Sequence, residues 1–364
     1  MAVETTNYQC PGCTGPLHFE GSSGKLECEY CGTAYDLAII EQLYADKEQA
    51  AAAEPEWNVT AAGSSWSDEE AAHIKAFICP SCSAELVCDD TTAATSCPYC
   101  GNPTVVAGRF SGMLKPDYVI PFKLDKLAAI AALKNYYKGK KFLPGAFASA
   151  NHIEEIKGIY VPFWLFDGES DANMRFRGTI VHKHTHADEE ITTTEHFRVT
   201  RRGNIVFEKI PVDGSSKMPD AHMDAVEPFD YSALVPFSPA YLPGYMADKY
   251  DEDAGACVVR ANERIKTSTE QAFADTAKGY TTLVPEYTDI RLKQATVKYA
   301  LMPVWMLSTK WAGQDFLFAM NGQTGKLIGD LPVDWRKFFI WFAGISAPLM
   351  AILGFILFYG GGII

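Results

Sequence analysis

The sequence predicts an α+β protein built from two small N-terminal zinc ribbons of β type, a pseudo-duplicated α+β domain and one C-terminal transmembrane helix. Three observations carry that expectation. Paired Cys-x-x-Cys motifs recur at a fixed offset, a Pro-x-Trp strand follows a helix in each half of the remaining chain, and the chain ends in a long uncharged apolar run. The expected division is 1–36 for the first ribbon, 37–76 for a helical and polar linker, 77–108 for the second ribbon, 109–333 for the α+β domain, and 334–364 for the anchor with a short tail.

The first tetrad is Cys10, Cys13, Cys28 and Cys31, and the second is Cys79, Cys82, Cys97 and Cys100, each member lying 69 positions beyond its counterpart. Zinc takes four soft ligands in a tetrahedron at a Zn–S distance of about 2.3 Å. A Cys-x-x-Cys turn supplies two sulfurs from one knuckle, and the second pair closes the site from another hairpin. Gly32 and Gly101 follow the last cysteine of each tetrad, where a left-handed backbone lets amides face the sulfurs. Four thiolates fill the sphere, so both Zn2+ sites read as structural rather than catalytic. Rubredoxin-type iron is the competing metal. The N-terminus MAVETTNYQC has neither a basic start nor an apolar run, so no secretory signal is expected. A reducing compartment then favours metal ligation over disulfides. Cys88 and Cys257 lie outside both motifs and read as buried structural thiols.

Between the ribbons, LAIIEQLYADKEQAAAAEPEW reads as a short helix ended at Pro55, and NVTAAGSSWSDEE as a polar connector. Beyond them, DKLAAIAALKNYYKG has helical apolar spacing with Gly139 past its end, and IKGIYVPFWLFDGES reads as an aromatic strand. MRFRGTIVHKHTHA and EEITTTEHFRVTRRG read as a hairpin, followed by a strand in NIVFEKIPVDG. A second helix is expected over 258–278, then the extended stretch ATVKYALMPVWMLSTKW, and a tight turn at Asn321-Gly322. Pro162-Phe163-Trp164 and Pro303-Val304-Trp305 mark the two halves as related.

Charge argues against nucleic acid. Residues 1–109 hold 4 Lys/Arg against 16 Asp/Glu, whereas phosphate binding needs a basic face. Arg198, Arg201 and Arg202 read as a solvated hairpin rim. His182, His184 and His186 alternate and so share a strand face. Whether His196 joins them in a further metal site depends on hairpin register, and a half-solvated face is the expected reading. Asp213 and DGSSKMPD could form a polar pocket, but Pro219-Asp220 reads as the opening of a short helix. There is no phosphate-cradling glycine loop, no Gly-x-Ser-x-Gly and no His-Glu-x-x-His, so no enzyme is expected. Phe338–Tyr359 is 22 residues without a charge, about 33 Å as a helix against a hydrocarbon core of about 30 Å. Trp335, Trp341 and Tyr359 stand where interfacial anchors stand.

TTAATSCPYCGNPT, KPDYVIPFKLDK, IKGIYVPFWLFDG, EEITTTEHF and IPVDGSSKMPD resemble a bacterial family of membrane-anchored, TFIIB-type double zinc-ribbon proteins, often labelled primosomal protein N'/replication factor Y-like. The resemblance covers nearly the whole chain. It implies two structural zinc ions on the eight cysteines. It also implies partnership with phage-shock-protein-A-like and SPFH-type membrane proteins in envelope-stress or membrane-organising complexes. The expected function is a non-enzymatic adaptor docking protein partners at the cytosolic membrane face, with a single pass and the N-terminal bulk in the cytosol. A nucleic-acid-associated ribbon protein, and a ligand-binding or hydrolytic domain in 109–333, are the alternatives.

Overall fold

A computed structural model describes residues 8–360 apart from 12–14, 22, 43–56, 93–95, 104, 109–111, 151–152 and 187–188. The chain is mixed α+β. Near its start, β1 (Leu17–Glu20), β2 (Lys25–Cys28) and β3 (Ala34–Asp36) make an antiparallel sheet of their own in the order β1-β2-β3. Gly24, at φ +67°, supplies the left-handed turn that sets Glu20 opposite Lys25.

The stretch expected as a polar connector is instead packed down where it is described. Trp57 lies edge-on to Phe166 at 4.9 Å between ring centres and donates its indole N–H to Asn262 at 3.0 Å. Trp66 meets Phe237 at 5.7 Å. Two tryptophans carry enough apolar area to hold a Gly/Ser-rich segment on the domain. Ser67 then starts the short helix α1 (Asp68–Ala72) with a capping box, its side chain accepting from the Glu70 amide while Glu70 accepts from the Ser67 amide. The helix proposed for 37–57 is described only over 37–42, which is helical; its end at Pro55 lies outside the described residues.

The second cysteine module has no sheet of its own. Its strands β4 (Ile74–Ile78), β5 (Glu85–Asp89) and β6 (Val106–Gly108) are part of the large sheet. The elements that follow are β7 (Tyr118–Val119), α2 (Lys126–Tyr137), α3 (Gly145–Ala150), β8 (Lys157–His186), β9 (Glu189–Asp213), α4 (Asp220–Val226), β10 (Val235–Pro236), β11 (Met246–Asp248), α5 (Ala254–Asp275), β12 (Thr282–Trp311), β13 (Gln314–Asn321), β14 (Leu327–Gly329) and α6 (Trp335–Gly360). The sheet runs β10-β7-β12-β8-β11-β5-β4-β6, with β9 on β8 and the β13–β14 ribbon on β12. The division expected at 108/109 therefore coincides with no break in the sheet.

One arrangement occurs twice. In each half a short strand leads through a helix to a long strand bearing Pro-x-Trp, which then turns back in a hairpin. Pro162 and Pro303 hold equivalent places. The residues three and two before them, Ile159-Tyr160 and Ala300-Leu301, pair in parallel with Met246-Ala247 and Tyr118-Val119 respectively. Each short strand thus docks on the long strand of the other half, and the two long strands pair antiparallel at the centre. The tryptophans explain why the motif matters. Trp164 Nε1 donates to the Glu252 carbonyl at 2.9 Å, and Trp305 Nε1 to that of Leu124 at 3.0 Å. Both carbonyls sit one residue before a helix whose N-cap is an aspartate accepting from the backbone three residues on, Asp253 from Ala256 and Asp125 from Ala128. Indole and cap together fix each helix against the sheet.

Where four separate strands were expected, β8 and β9 are continuous over 30 and 25 residues. The Asp167-Gly168 pair, a turn signal in sequence, is absorbed as a bulge between Phe166 and Gly168. Beyond it β8, β9 and the start of β12 form an arm, packed on one face by α5 through Met174, Phe176, Val199 and Phe273. The helix α6 contains a span from Trp335 to Phe355 with mean hydropathy 2.0 and 0% of it buried, long and apolar enough to cross a membrane.

Candidate metal centres

Where they are described, the knuckles of the two tetrads share one backbone device. The amides of Cys28, Cys79 and Cys97 donate to the carbonyls of Thr33, Ala84 and Asn102, each five residues on, and Cys10 donates to Gly15 in the same way. Gly32, Ser83 and Gly101 donate back to the carbonyls of Cys28, Cys79 and Cys97 from left-handed backbones at φ +67°, +57° and +68°. That reversal turns amides toward sulfur: Cys79 Sγ accepts from the Cys82 and Ser81 amides, and Cys97 Sγ from those of Cys100 and Tyr99.

The sulfurs converge. Cys79 and Cys100 lie 3.6 Å apart and Cys82 and Cys97 3.5 Å, with all four Sγ atoms within 4.8 Å of one another. A tetrahedral shell with metal–sulfur bonds of about 2.3 Å has edges of about 3.8 Å, so the cluster fits such an ion. In the first module Cys10, Cys28 and Cys31 converge within the same 4.8 Å limit, with Cys10 and Cys31 3.6 Å apart. Cys13 lies outside the described residues. Burial opposes ionisation of Cys79, Cys82 and Cys97. It pushes the Cys82 thiol up to about 11 and Cys97 higher still, whereas at Cys79 the amide donors outweigh it and bring the thiol to about 7. A bound cation supplies the charge these buried sulfurs need in order to ionise together.

The second cluster is part of the domain core. Cys79, Ala84, Leu86, Cys88, Cys97 and Tyr99 share one apolar cluster with Ile159, Phe163, Met302 and Val304. Tyr99, between two ligands in sequence, donates its hydroxyl to Asp248 Oδ2 at 2.6 Å, which also accepts from Ser215 at 2.6 Å. Burial pushes the Asp248 carboxyl up to about 7. No local pattern signals this tie, because Tyr99 and Asp248 are 149 residues apart.

Other candidate positions stand as follows. Cys88 and Cys257 are buried, donating toward the carbonyls of Thr92 and Asp213. His182 and His184 share a face with ring centres 6.4 Å apart, and His182 approaches Glu195 at 3.7 Å. His196 pairs with Thr179, an odd position on β8, and so belongs to the opposite face. Among the described residues, the two cysteine clusters are the only groups of three or more ligand atoms placed for a metal. In DGSSKMPD, the helix α4 does open at Asp220, and Asp213 is also buried at 1% exposure, its Oδ1 2.8 Å from Arg260. Arg260 and Arg264 line a cleft of about 490 Å³, where both are engaged by Asp224 and Arg264 also by Glu227.

Burial pushes the Asp213 carboxyl from 3.8 up to about 6, and the Arg260 charge restrains the rise. A raised carboxyl pKa means that the folded chain holds the proton more tightly, so this group costs stability as pH climbs from about 4 through 6. Arg260→Ala removes the restraining cation and leaves a buried carboxylate unpaired, a loss of about 3–5 kcal/mol near neutral pH. The deficit in melting temperature relative to wild type is expected to be large at pH 8 and to shrink below pH 5. A deficit unchanged across that range would show that Asp213 is not the group responsible.

The chain is 37% identical over 357 residues to a Bacillus subtilis (strain 168) protein described as uncharacterized protein YdjG, covering 98% of this chain and 99% of that one. The chain belongs to the YdjG family. The match spans both cysteine modules, the duplicated domain and α6, so this YdjG-family chain and its relative share one overall organisation. No family model matches the chain, and no solved structure does.

Proposed function

We propose that this YdjG-family chain is a non-enzymatic membrane adaptor of the TFIIB-type zinc-ribbon kind, carrying two structural Zn2+ ions and docking protein partners at the cytosolic membrane face. The observation that carries the reading is the closed sulfur shell of the second cluster on a chain that ends in an unburied apolar helix. A shell of four thiolates leaves no ligand position for substrate, which favours a scaffold over a catalyst. Zinc is preferred to iron because Cys₄ knuckles of this spacing commonly hold zinc. The acidic N-terminal region favours a basic protein surface over a polyanion. Arg336 and Lys337 directly precede the apolar run, which supports a cytosolic domain. Phage-shock-protein-A-like or SPFH-type membrane proteins are the partners that the resemblance of the motifs suggests.

The test uses the full chain purified gently from detergent-solubilised membranes. Elemental analysis is expected to give two zinc ions per chain and essentially no iron, and mass spectrometry a reproducible protein partner. Deleting residues 1–36 removes a module with its own sheet, and is expected to halve the zinc and lose the partner while leaving the chain in the membrane. Salt-sensitive retention of the full chain on duplex DNA would favour the nucleic-acid reading instead.

A further inference from the structure

The segment joining α2 to α3 reads Lys138-Gly139-Lys140-Lys141-Phe142, and the fold places it against the first turns of α6. Gly139, at φ +77°, turns the chain back immediately after the helix. The Phe142 carbonyl accepts the Asp334 amide at 2.7 Å, and the Leu143 carbonyl accepts Lys337 Nζ at 2.7 Å. Phe142 packs edge-on to Phe338 with ring centres 5.7 Å apart. Lys141 reaches further along the helix, its ammonium 4.5 Å above the ring of Trp341.

Charge in this patch is mostly positive. Lys138, Lys140, Lys141 and Arg336 are exposed and Lys337 is half-buried. Their resolved partners are largely neutral: Lys138 donates to the Asn135 side chain and Lys140 stands over the Tyr136 ring. The acid among them is Asp334, which caps α6 by accepting from the Arg336 and Lys337 amides and lies 3.8 Å from Lys337. Asp330, nearby in sequence, is turned to His222 at 3.2 Å. Five cations therefore gather around one occupied carboxylate. From Trp341 to Gly360 is 20 helical residues, about 30 Å, the thickness of the hydrocarbon core. That register puts Trp341 and the lysines over it in the headgroup layer, where an indole and a cation are both favoured.

We propose that Lys138, Lys140 and Lys141, with Arg336 and Lys337, form a docking surface for anionic phospholipid headgroups, which seats the domain on the membrane beside its own anchor. The proposal rests on α6 spanning the membrane. Continuity with the helix selects the occupant: a patch fixed at the entry of a span meets headgroups before any soluble ligand. It also divides the chain electrostatically, with the basic loop drawn to the bilayer and the acidic first module held off it.

The full chain is reconstituted in nanodiscs of phosphatidylcholine alone or of an even phosphatidylcholine–phosphatidylglycerol mixture, and lysine acetylation rates are read by mass spectrometry. Lys138, Lys140 and Lys141 are expected to react about fivefold more slowly in the anionic discs, the scale of attraction of one cation to such a surface. High salt should restore the rate, and Lys25 and Lys183 should react alike in both discs. Equal rates in the two discs would overturn the lipid surface while leaving the anchor standing. Protection by inorganic phosphate added to the neutral discs would also overturn it, in favour of a free-anion site. Co-elution with the discs reads the span separately, and its failure would overturn anchor and patch together. Replacing all three lysines by glutamine is expected to keep co-elution and to abolish the difference between the discs in the protection of Trp341 from oxidation.

Discussion

Cys97→Ser is expected to unfold the large domain, whereas Cys28→Ser is expected to cost the first module alone. The two cysteines hold equivalent places in equivalent knuckles, so the sequence suggests equal effects. The difference lies in what surrounds them. Around Cys28 are β1, β2 and β3, a sheet with no strand shared with the rest of the chain. Around Cys97 is the core that buries Leu86, Ile159, Phe163 and Val304, and β5 of that module is paired with β11 of the domain. Structural zinc contributes about 10–16 kcal/mol to small modules, as much as the whole stability of an ordinary domain, about 5–15 kcal/mol. Losing one ligand of the second site therefore leaves buried thiols without their cation in the middle of the domain. Cys97→Ser should lose the main cooperative melting transition and accumulate insoluble chain. Cys28→Ser should bind one zinc fewer and keep that transition within a few degrees. Equal behaviour of the two variants would show that the second module is not integral to the domain.

That contrast marks where reading the sequence stops. The metal knuckles were legible because their chemistry is local: Cys-x-x-Cys, the residue in the left-handed position and the carbonyl five residues on all lie within one short stretch. The helix over 126–137 was legible from apolar spacing and Gly139 past its end, the helix over 254–275 reads a few residues late, at 258–278, and the long helix was legible from its uncharged run. The paired Pro-x-Trp motifs signalled two related halves, but not that each short strand crosses to the long strand of the other half. Such a swap depends on contacts far apart in sequence, Ile159 with Met246 and Tyr118 with Ala300. Asp-Gly is a turn pair by propensity, but the strand read across 167–168 does continue, because the apolar alternation on both sides keeps it in register across a bulge. That the sheet continues across the boundary drawn at 108 has a related cause. A Cys₄ knuckle looks self-contained in sequence, and only the placement of Leu86, Tyr99 and Asp248 shows that its strands and its tyrosine belong to a larger core.

Deleting residues 338–364 is expected to move the chain entirely from the membrane fraction to the soluble fraction with its domain intact. The span from Trp335 to Phe355 is unburied and meets the domain at its surface, through Phe338 on Phe142 and Trp341 under Lys141, so removing it opens no cavity there. What is lost is the transfer of an apolar helix into lipid, and with it the contact of Phe338 with Phe142. The domain's melting transition should shift little and both metal sites should stay loaded. A single charge tests the same span more gently. Leu349→Arg puts a guanidinium near the middle of α6, at a cost of about 2.5–3.5 kcal/mol. It should leave a measurable share of the chain extractable by alkaline carbonate. Pro348→Leu should change nothing in that assay, because proline is tolerated in a span and is not required by it. In the proposed orientation, argued from Arg336 and Lys337 before the run, the domain lies on the cytosolic side. Protease added to intact spheroplasts should spare the cysteine modules, and lysis should expose them. Cleavage of the modules before lysis would reverse the orientation, and a truncated chain still resistant to carbonate would remove the anchor from α6 altogether.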